Sequence, residues 1–202
     1  KYHLPKAVSI KKVLSLGQKY THTKVPLTHD DIAYLQYTGG TTGVAKGTIL
    51  THGNMLANVL QATAWLGPLL KTKLEGGIIT ALPLYHIFSL TANCLVFLKV
   101  GIPNVLITNP RDIPGFVKEL EKNPFCFMTG VNTLFNALLH NEGFCKLDFS
   151  RLKCTLGGGM AVQRAVAEKW QKVTKSPITE AYGLTEASPA VTINPLSLKE
   201  FN

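Results

Sequence analysis

Charged residues are scarce in this 202-residue chain, and acidic residues are absent from its first 29 positions. Only 16% of the residues are Asp, Glu, Lys or Arg and 46% are hydrophobic, which excludes a disordered chain and indicates a packed core. Six lysines precede Asp30, the first acid, so they account for six of the nine net positive charges. No zinc-finger, helix-turn-helix or RNA-binding aromatic pattern accompanies them, and we therefore predict no nucleic-acid partner.

Cysteines and long apolar runs are also few. The four cysteines show no C-x-x-C spacing, and Cys94 and Cys126 lie inside apolar stretches, where a free thiol packs as a small hydrophobic group. This usage favours a reducing compartment over a disulfide framework. The most apolar stretch is interrupted by Lys99, Gly101 and Pro103, which predicts a buried helix followed by a buried strand rather than a membrane span.

From Asp30 onward, short apolar runs alternate with helical periods. The runs predict strands at 32–38, 78–82, 104–108, 125–129, 153–156 and 178–181. Apolar stripes predict helices around 55–63, 113–120, 134–139 and 162–173. This order indicates an α/β fold with a doubly wound, mainly parallel sheet and helices on both faces. Residues 1–29 are predicted to be a partly ordered lead-in segment, and 30–202 the α/β portion.

The stretch YLQYTGGTTGVAKGTILTH (34–52) combines glycines, hydroxyls and a lysine after a predicted strand. Such a loop can offer backbone N–H groups, threonine hydroxyls and the Lys46 ammonium to a polyphosphate without interference from Cβ atoms. It is not a Walker A loop, because Gly43 lies three residues before Lys46 and Ala45 directly precedes the lysine. A flexible Gly-Thr turn without any ligand explains the composition equally well.

Three further stretches follow predicted strands: LPLYHIFSL (82–90), LGGGMA (156–161) and EAYGLTEAS (180–188). Each has a purely structural interpretation when taken alone. A histidine beside aromatic residues is often packed structurally, a glycine run makes a tight turn, and a Thr-Glu pair caps a helix.

Together and in this order, YTGGTTGVAKG, LPLYHIFSL, LGGGMA and EAYGLTEAS resemble the signatures of the acyl-adenylating (AMP-binding) enzyme superfamily. That superfamily includes acyl-CoA synthetases, peptide-synthetase adenylation domains and firefly luciferase. The resemblance covers residues 30–195, although Gly39 stands where many members have Ser and Ala45 where many have Pro. The residues around the motifs are most similar to those of bacterial long-chain fatty acid–CoA ligases.

The resemblance implies a role for each matching residue. It makes His86, Thr185 and Glu186 catalytic: His86 would border the acyl and carboxylate site, Thr185 would reach the α-phosphate, and Glu186 would coordinate Mg²⁺. The glycine turn would lie between the adenine and the acyl chain, with Tyr182 against the adenine. The implied nucleotide-binding residues are Thr38, Gly39, Gly40, Thr41, Thr42, Gly43, Lys46, Gly157, Gly158, Gly159, Ala181, Tyr182, Gly183 and Thr185.

The implied activity converts a fatty acid and ATP into acyl-AMP and pyrophosphate, and then forms acyl-CoA. Fatty acid, ATP and coenzyme A would be the substrates, with Mg²⁺ as the metal. Two alternatives stay open. One is another acyl-adenylating enzyme, such as a fatty acyl-AMP ligase or an amino-acid-activating domain, and the other is a non-catalytic interaction domain of the same fold.

The resemblance also predicts which parts of the family's machinery lie outside this chain. In the family, a ribose-binding aspartate and a mobile carboxy-terminal domain with a catalytic lysine follow the Y-G-x-T-E motif. We expect these parts, and most of the coenzyme A site, beyond Asn202. The chain would then be a fragment of the large N-terminal domain, inactive alone and prone to self-association. We expect the intact enzyme in the cytoplasm, either free or peripheral at the inner face of the cell membrane.

Overall fold

A computed structural model describes residues 5–38 and 45–201, which form a six-stranded sheet and a separate two-stranded sheet. Across the larger sheet, the strands lie in the order β4 (Asn104–Leu106), β3 (Gly77–Thr80), β5 (Phe125–Gly130), β6 (Cys154–Gly157), β7 (Ile178–Gly183) and β8 (Ala190–Ile193). Strands β3 to β7 are parallel, and β8 is antiparallel to β7. The predicted mainly parallel sheet is thus confirmed. The two-stranded sheet consists of β1 (Ile32–Thr38) and β2 (Lys46–Thr51).

Helices cover both faces of the larger sheet. A π-helical segment, Leu90–Leu95, joins α3 (Ile87–Ser89) to α4 (Val96–Val100). A 3₁₀ turn spans Thr185–Ala187. In the described part of the chain, no helix combines the length and the apolar character needed to cross a membrane. The helices are α1 (Ile10–Gly17), α2 (His52–Leu70), α3 (Ile87–Ser89), α4 (Val96–Val100), α5 (Ile113–Lys122), α6 (Asn132–Leu139), α7 (Glu142–Cys145) and α8 (Arg164–Thr174).

Successive residues of the buried strands belong to two different hydrophobic clusters, because side chains alternate between the two faces of a sheet. Phe127 packs with α2 and α4 on one face. Its neighbour Met128 packs with α5, α6 and α8 on the other. At the centre of this second cluster lies Trp170, fully buried, with its ring centroid 4.9 Å from that of Phe135.

The strand predicted at 32–38 exists, but its predicted place in the parallel sheet is wrong. It pairs antiparallel with β2, a strand that was not predicted, in a two-stranded hairpin. Leu35 and Tyr37 are exposed in this hairpin, so the apolar run is not covered on both faces. The Gly-Thr stretch therefore joins two hairpin strands instead of following a parallel strand.

Other differences concern surface elements and helix faces. Neither α1, which buries none of its residues, nor β8 was predicted. In α2, Leu56 and Leu60 were assigned to the apolar stripe, yet both are 46% exposed. The buried face instead includes Asn58. The helix begins at His52 and is capped by Thr51, whose hydroxyl oxygen accepts the backbone N–H of Asn54.

Candidate active site

Three of the predicted loops leave the same edge of the sheet. The loop with His86 follows β3, the glycine turn follows β6, and the turn with Thr185 and Glu186 follows β7. Since β3, β6 and β7 belong to the parallel part of the sheet, these loops share the edge formed by its carboxyl ends, where α/β folds bind ligands.

The glycine turn lies directly against the helix that follows His86. Gly158 donates its backbone N–H to the Gly130 carbonyl at 3.2 Å, and Gly159 has the left-handed φ of +77° that favours glycine. A Cβ atom on Gly158 would lie 3.1 Å from the Phe88 ring, so the ring packs closely over the bare backbone. The predicted residues Gly157, Gly158 and Gly159 therefore form a close-packed turn beside α3.

His86 caps the amino end of α3. Its Nδ1 accepts the Phe88 backbone N–H at 3.3 Å, and the residue is exposed. Because Nδ1 acts as an acceptor, the proton of the neutral ring lies on Nε2, which makes no hydrogen bond to the described residues and can donate toward a ligand. The capping bond thus orients the imidazole at the strand edge.

The Y-G-L-T-E segment bends at the end of β7. The Tyr182 side chain is 64% exposed, beside the glycine turn. A Cβ on Gly183 would lie 2.2 Å from the Pro189 carbonyl oxygen, so only glycine permits this approach of β8. Thr185 is half-buried and Glu186 is exposed in the 3₁₀ turn that follows.

The β1–β2 hairpin reaches this edge from one side. Thr38 and Lys46 are cross-strand partners at the end of the hairpin where its two strands are connected, and Lys46 is exposed. Gln36 donates to the Tyr85 carbonyl at 2.7 Å, and β2 lies against the 3₁₀ turn. The predicted residues Gly39, Gly40, Thr41, Thr42 and Gly43 lie outside the described residues, so their role in nucleotide binding stays a prediction.

A cavity of about 90 Å³ opens between the glycine turn and β7 and extends between the sheet and α2. It runs along β6 from Gly158 to Cys154, four residues or roughly 13 Å at the rise of a strand. Its walls are mainly apolar and include Ala62, Trp65, Phe127 and Cys154. Burial raises the pKa of the Cys154 thiol to about 12, so this wall carries no thiolate at neutral pH.

Sequence reasoning missed the polar residues that line this cavity. Asn58 is 4% exposed and Thr91 is 1% exposed, and both contribute to the wall. Asn58 is a polar residue within the apolar period of α2, and that inconsistency was the available signal. Thr91 lies in a π-helical segment, which a regular 3.6-residue period does not detect.

A protein-only metal cage is not present among the residues that the structure describes, since no three His, Cys, Asp or Glu side chains cluster there. The exposed Glu186 at the strand edge offers a single carboxylate. One carboxylate together with substrate phosphates is an arrangement that suits Mg²⁺, which commonly retains several waters.

The chain was compared with protein families, curated proteins and solved structures. Residues 3–201 match the family model described as AMP-binding enzyme. A long-chain-fatty-acid–CoA ligase of Yersinia pestis is 57% identical over 202 residues, which is 100% of this chain and 36% of that protein. The enzyme of the same name from Salmonella typhimurium is 59% identical over 195 residues, 96% of this chain and 35% of that protein.

A solved structure shares the fold. The crystal structure of the ATP-bound RpMatB-BxBclM chimera B1 aligns with a TM-score of 0.72 at 25% identity, covering 88% of this chain and 33% of that one. This chain spans about a third of the length of the curated relatives above. Because the family model covers nearly every residue, the resemblance deduced from the motifs is confirmed, and the chain belongs to the AMP-binding enzyme family.

Proposed function

We propose that the protein is a long-chain fatty acid–CoA ligase that forms an acyl-adenylate from a fatty acid and ATP and then transfers the acyl group to coenzyme A. The observation that carries this proposal is an apolar cavity opening at the strand edge that also bears the glycine turn and the Thr185–Glu186 pair. Curated relatives with 57% and 59% identity bear the name of such a ligase. The proposal joins the apolar cavity and the polar edge into one reaction site.

The cavity is proposed to hold the acyl chain with its carboxylate at the mouth. Its side walls from α2 and β6 are mainly apolar, which suits a hydrocarbon chain, since each buried methylene contributes about 0.8 kcal/mol. The mouth lies beside Gly158 and Tyr182. His86 is proposed to border this carboxylate, which is the role that the family resemblance implies.

The nucleotide is proposed to bind across the strand edge. The exposed Tyr182 ring, beside the glycine turn, offers a stacking surface for adenine. Thr185 would donate its hydroxyl to the α-phosphate. Lys46, with Thr38 opposite, would neutralise the β- and γ-phosphates, together with the predicted residues of the 39–43 loop.

The chemistry follows from placing two anions together. A carboxylate oxygen of the acid attacks the α-phosphorus of ATP, and the bond to the pyrophosphate oxygen breaks. The sulfur of coenzyme A, after losing its proton to solvent, then attacks the acyl carbon, and AMP leaves. Mg²⁺ held by Glu186 would supply positive charge near the α-phosphate. The residues of this chain contribute mainly positioning and charge neutralisation.

The proposed location is the cytoplasm, with peripheral contact at the inner face of the cell membrane. In support, α1 exposes Ile10, Val13 and Leu14, and Lys11 and Lys12 lie on its polar side. A basic amphipathic helix of this kind binds anionic lipid surfaces. Sedimentation with anionic and zwitterionic vesicles tests this: binding to neither would contradict it. Self-association of the 202-residue chain alone is proposed as well, and analytical ultracentrifugation of that chain tests it.

The direct test of the function is a substrate panel. The full-length protein is mixed with Mg-ATP, and pyrophosphate release is followed with palmitate, octanoate, acetate, 4-coumarate and a set of amino acids, with and without coenzyme A. We expect release with palmitate and formation of palmitoyl-CoA. Selective activation of amino acids, or palmitoyl-AMP formation without transfer to coenzyme A, would contradict the proposal.

A further inference from the structure

Two buried side chains outside the family signatures fasten the turn that carries Thr185 and Glu186. The Asn58 amide pairs with the backbone of Ala190: its Nδ2 donates to the Ala190 carbonyl at 2.9 Å, and its Oδ1 accepts the Ala190 N–H at 3.2 Å. This two-point contact restrains the backbone of Ala190 on both sides of its Cα atom, in position and in rotation. Ala190 comes three residues after the turn ends, so the contact fixes the turn's exit.

Thr91 holds Ser188, two residues upstream of Ala190. Its Oγ1 donates to the Ser188 carbonyl at 3.2 Å, and both residues are buried. Ser188 has a φ of +75°, a left-handed conformation that is unfavourable for a residue with a side chain. Such a conformation persists only where the surroundings impose it, and the bond from Thr91 is one of the contacts that do so.

The same two side chains line the apolar cavity, one from α2 and the other from the π-helical segment. The helices that enclose the cavity are therefore hydrogen-bonded directly to the segment after Glu186. Trp65 adds a third bond, from Nε1 to the Asn194 carbonyl at 3.1 Å, beyond the end of β8. The contacts thus continue along the whole segment.

We infer that Asn58 and Thr91 are positioning residues, which hold the Thr185–Glu186 turn in place relative to the cavity. This inference rests on the proposed function for its kinetic consequence, whereas its structural consequence is independent of that function. Displacement of about 1 Å at a reacting centre can reduce turnover on the order of a hundredfold. Loss of the hydrogen bonds from either Asn58 or Thr91 should therefore lower kcat by roughly 10- to 100-fold.

Kinetics distinguish positioning from simple lining of the cavity. Thr91→Val removes the hydroxyl at nearly constant volume, whereas Thr91→Ser keeps it, and Asn58→Ala removes both contacts to Ala190. In the full-length protein, Thr91→Val and Asn58→Ala should lower kcat for pyrophosphate release, with the KM for palmitate changed less than about threefold, and Thr91→Ser should retain most of the activity. Thr63→Val is the matched control, because the Thr63 hydroxyl bonds only to Val59 of the same helix among the described residues.

Hydrogen–deuterium exchange of the same variants provides a readout that needs no turnover. The amides of Ala187 and Ser188 bond within the turn, to Leu184 and Thr185, so their exchange reports the order of the turn. The amide of Ala190 is left out because it bonds to Asn58 itself. We expect exchange at Ala187 and Ser188 to rise at least about tenfold in Asn58→Ala and Thr91→Val, and to stay unchanged in Thr63→Val.

Two results would overturn the inference. One is unchanged exchange in both Asn58→Ala and Thr91→Val. The other is a higher KM for palmitate at constant kcat in these variants, which would show that the two residues only form part of the cavity wall. If the wild-type protein releases no pyrophosphate with any acid, the proposed function fails. The exchange result then decides alone whether Asn58 and Thr91 hold the turn.

Discussion

Replacing Ala62 by Leu should stabilise the protein and at the same time weaken its binding of long fatty acids. Ala62 lines the cavity of about 90 Å³ from α2. Empty space in a protein core costs about 24 cal/mol per Å³, so complete filling would add about 2 kcal/mol to the free energy of unfolding. Imperfect fit reduces that gain. At about 2–4 °C per kcal/mol, the melting temperature should rise by up to roughly 8 °C.

The same leucine should compete with the substrate. It adds three carbon atoms where the proposed acyl chain runs, and displacing three methylenes at about 0.8 kcal/mol each corresponds to roughly a 60-fold increase in the KM for palmitate. The KM for ATP should stay within about twofold of the wild-type value, because the nucleotide is proposed to bind at the strand edge. An acid too short to reach Ala62 should lose much less affinity than palmitate does.

The experiment combines thermal unfolding of the full-length protein with pyrophosphate release at varied palmitate and ATP. Ala64→Leu is the matched control, since Ala64 lies on the same helix but is exposed. That variant should change neither the melting temperature nor the KM appreciably. A higher melting temperature for Ala62→Leu with an unchanged KM for palmitate would show that the cavity does not hold the acyl chain.

Three further predictions address the turn and the buried thiols. Glu186→Gln should change the free energy of unfolding by less than about 0.5 kcal/mol, because the residue is exposed, yet slow pyrophosphate release a hundredfold or more; a wild-type rate would contradict the metal role. Gly183→Ala should lower the free energy of unfolding in urea by about 1–3 kcal/mol, because its Cβ would lie 2.2 Å from the Pro189 carbonyl oxygen, and unchanged stability would show that this close approach is not rigid. Burial raises the pKa of Cys126 to about 11 and that of Cys154 to about 12, so at pH 8 a disulfide reagent should label exposed Cys145 well before either; immediate labelling of all three would refute this.

The parallel sheet was predictable because β3, β5 and most of β6 are buried on both faces. β3 and β5 appear in the sequence as apolar runs, and the loops after the parallel strands carry most of the predicted site residues. Glycine runs and a Thr-Glu pair are local features, so Gly157, Thr185 and Glu186 could be selected from the motifs before any fold was known. Their meeting at one edge then followed from the direction of the strands.

The hairpin could not be predicted from its apolar run. A half-exposed antiparallel strand and an edge strand of a parallel sheet have similar compositions, and pairing partners are set by tertiary contacts. The contact between Asn58 and Ala190 could not be predicted either, because the two residues are 132 positions apart in sequence. Periodicity describes neighbours on one element, so it carries no information about which backbone group a buried amide will reach.

In the proposed reaction, a carboxylate oxygen of a fatty acid becomes bonded to the α-phosphorus of ATP. Full-length protein is incubated with Mg-ATP, coenzyme A and palmitate labelled with ¹⁸O in its carboxylate, and the products are analysed by mass spectrometry. We expect one labelled oxygen in each AMP released, unlabelled pyrophosphate, and palmitoyl-CoA that retains the other labelled oxygen. Formation of ADP and phosphate, or AMP without the label, would contradict it.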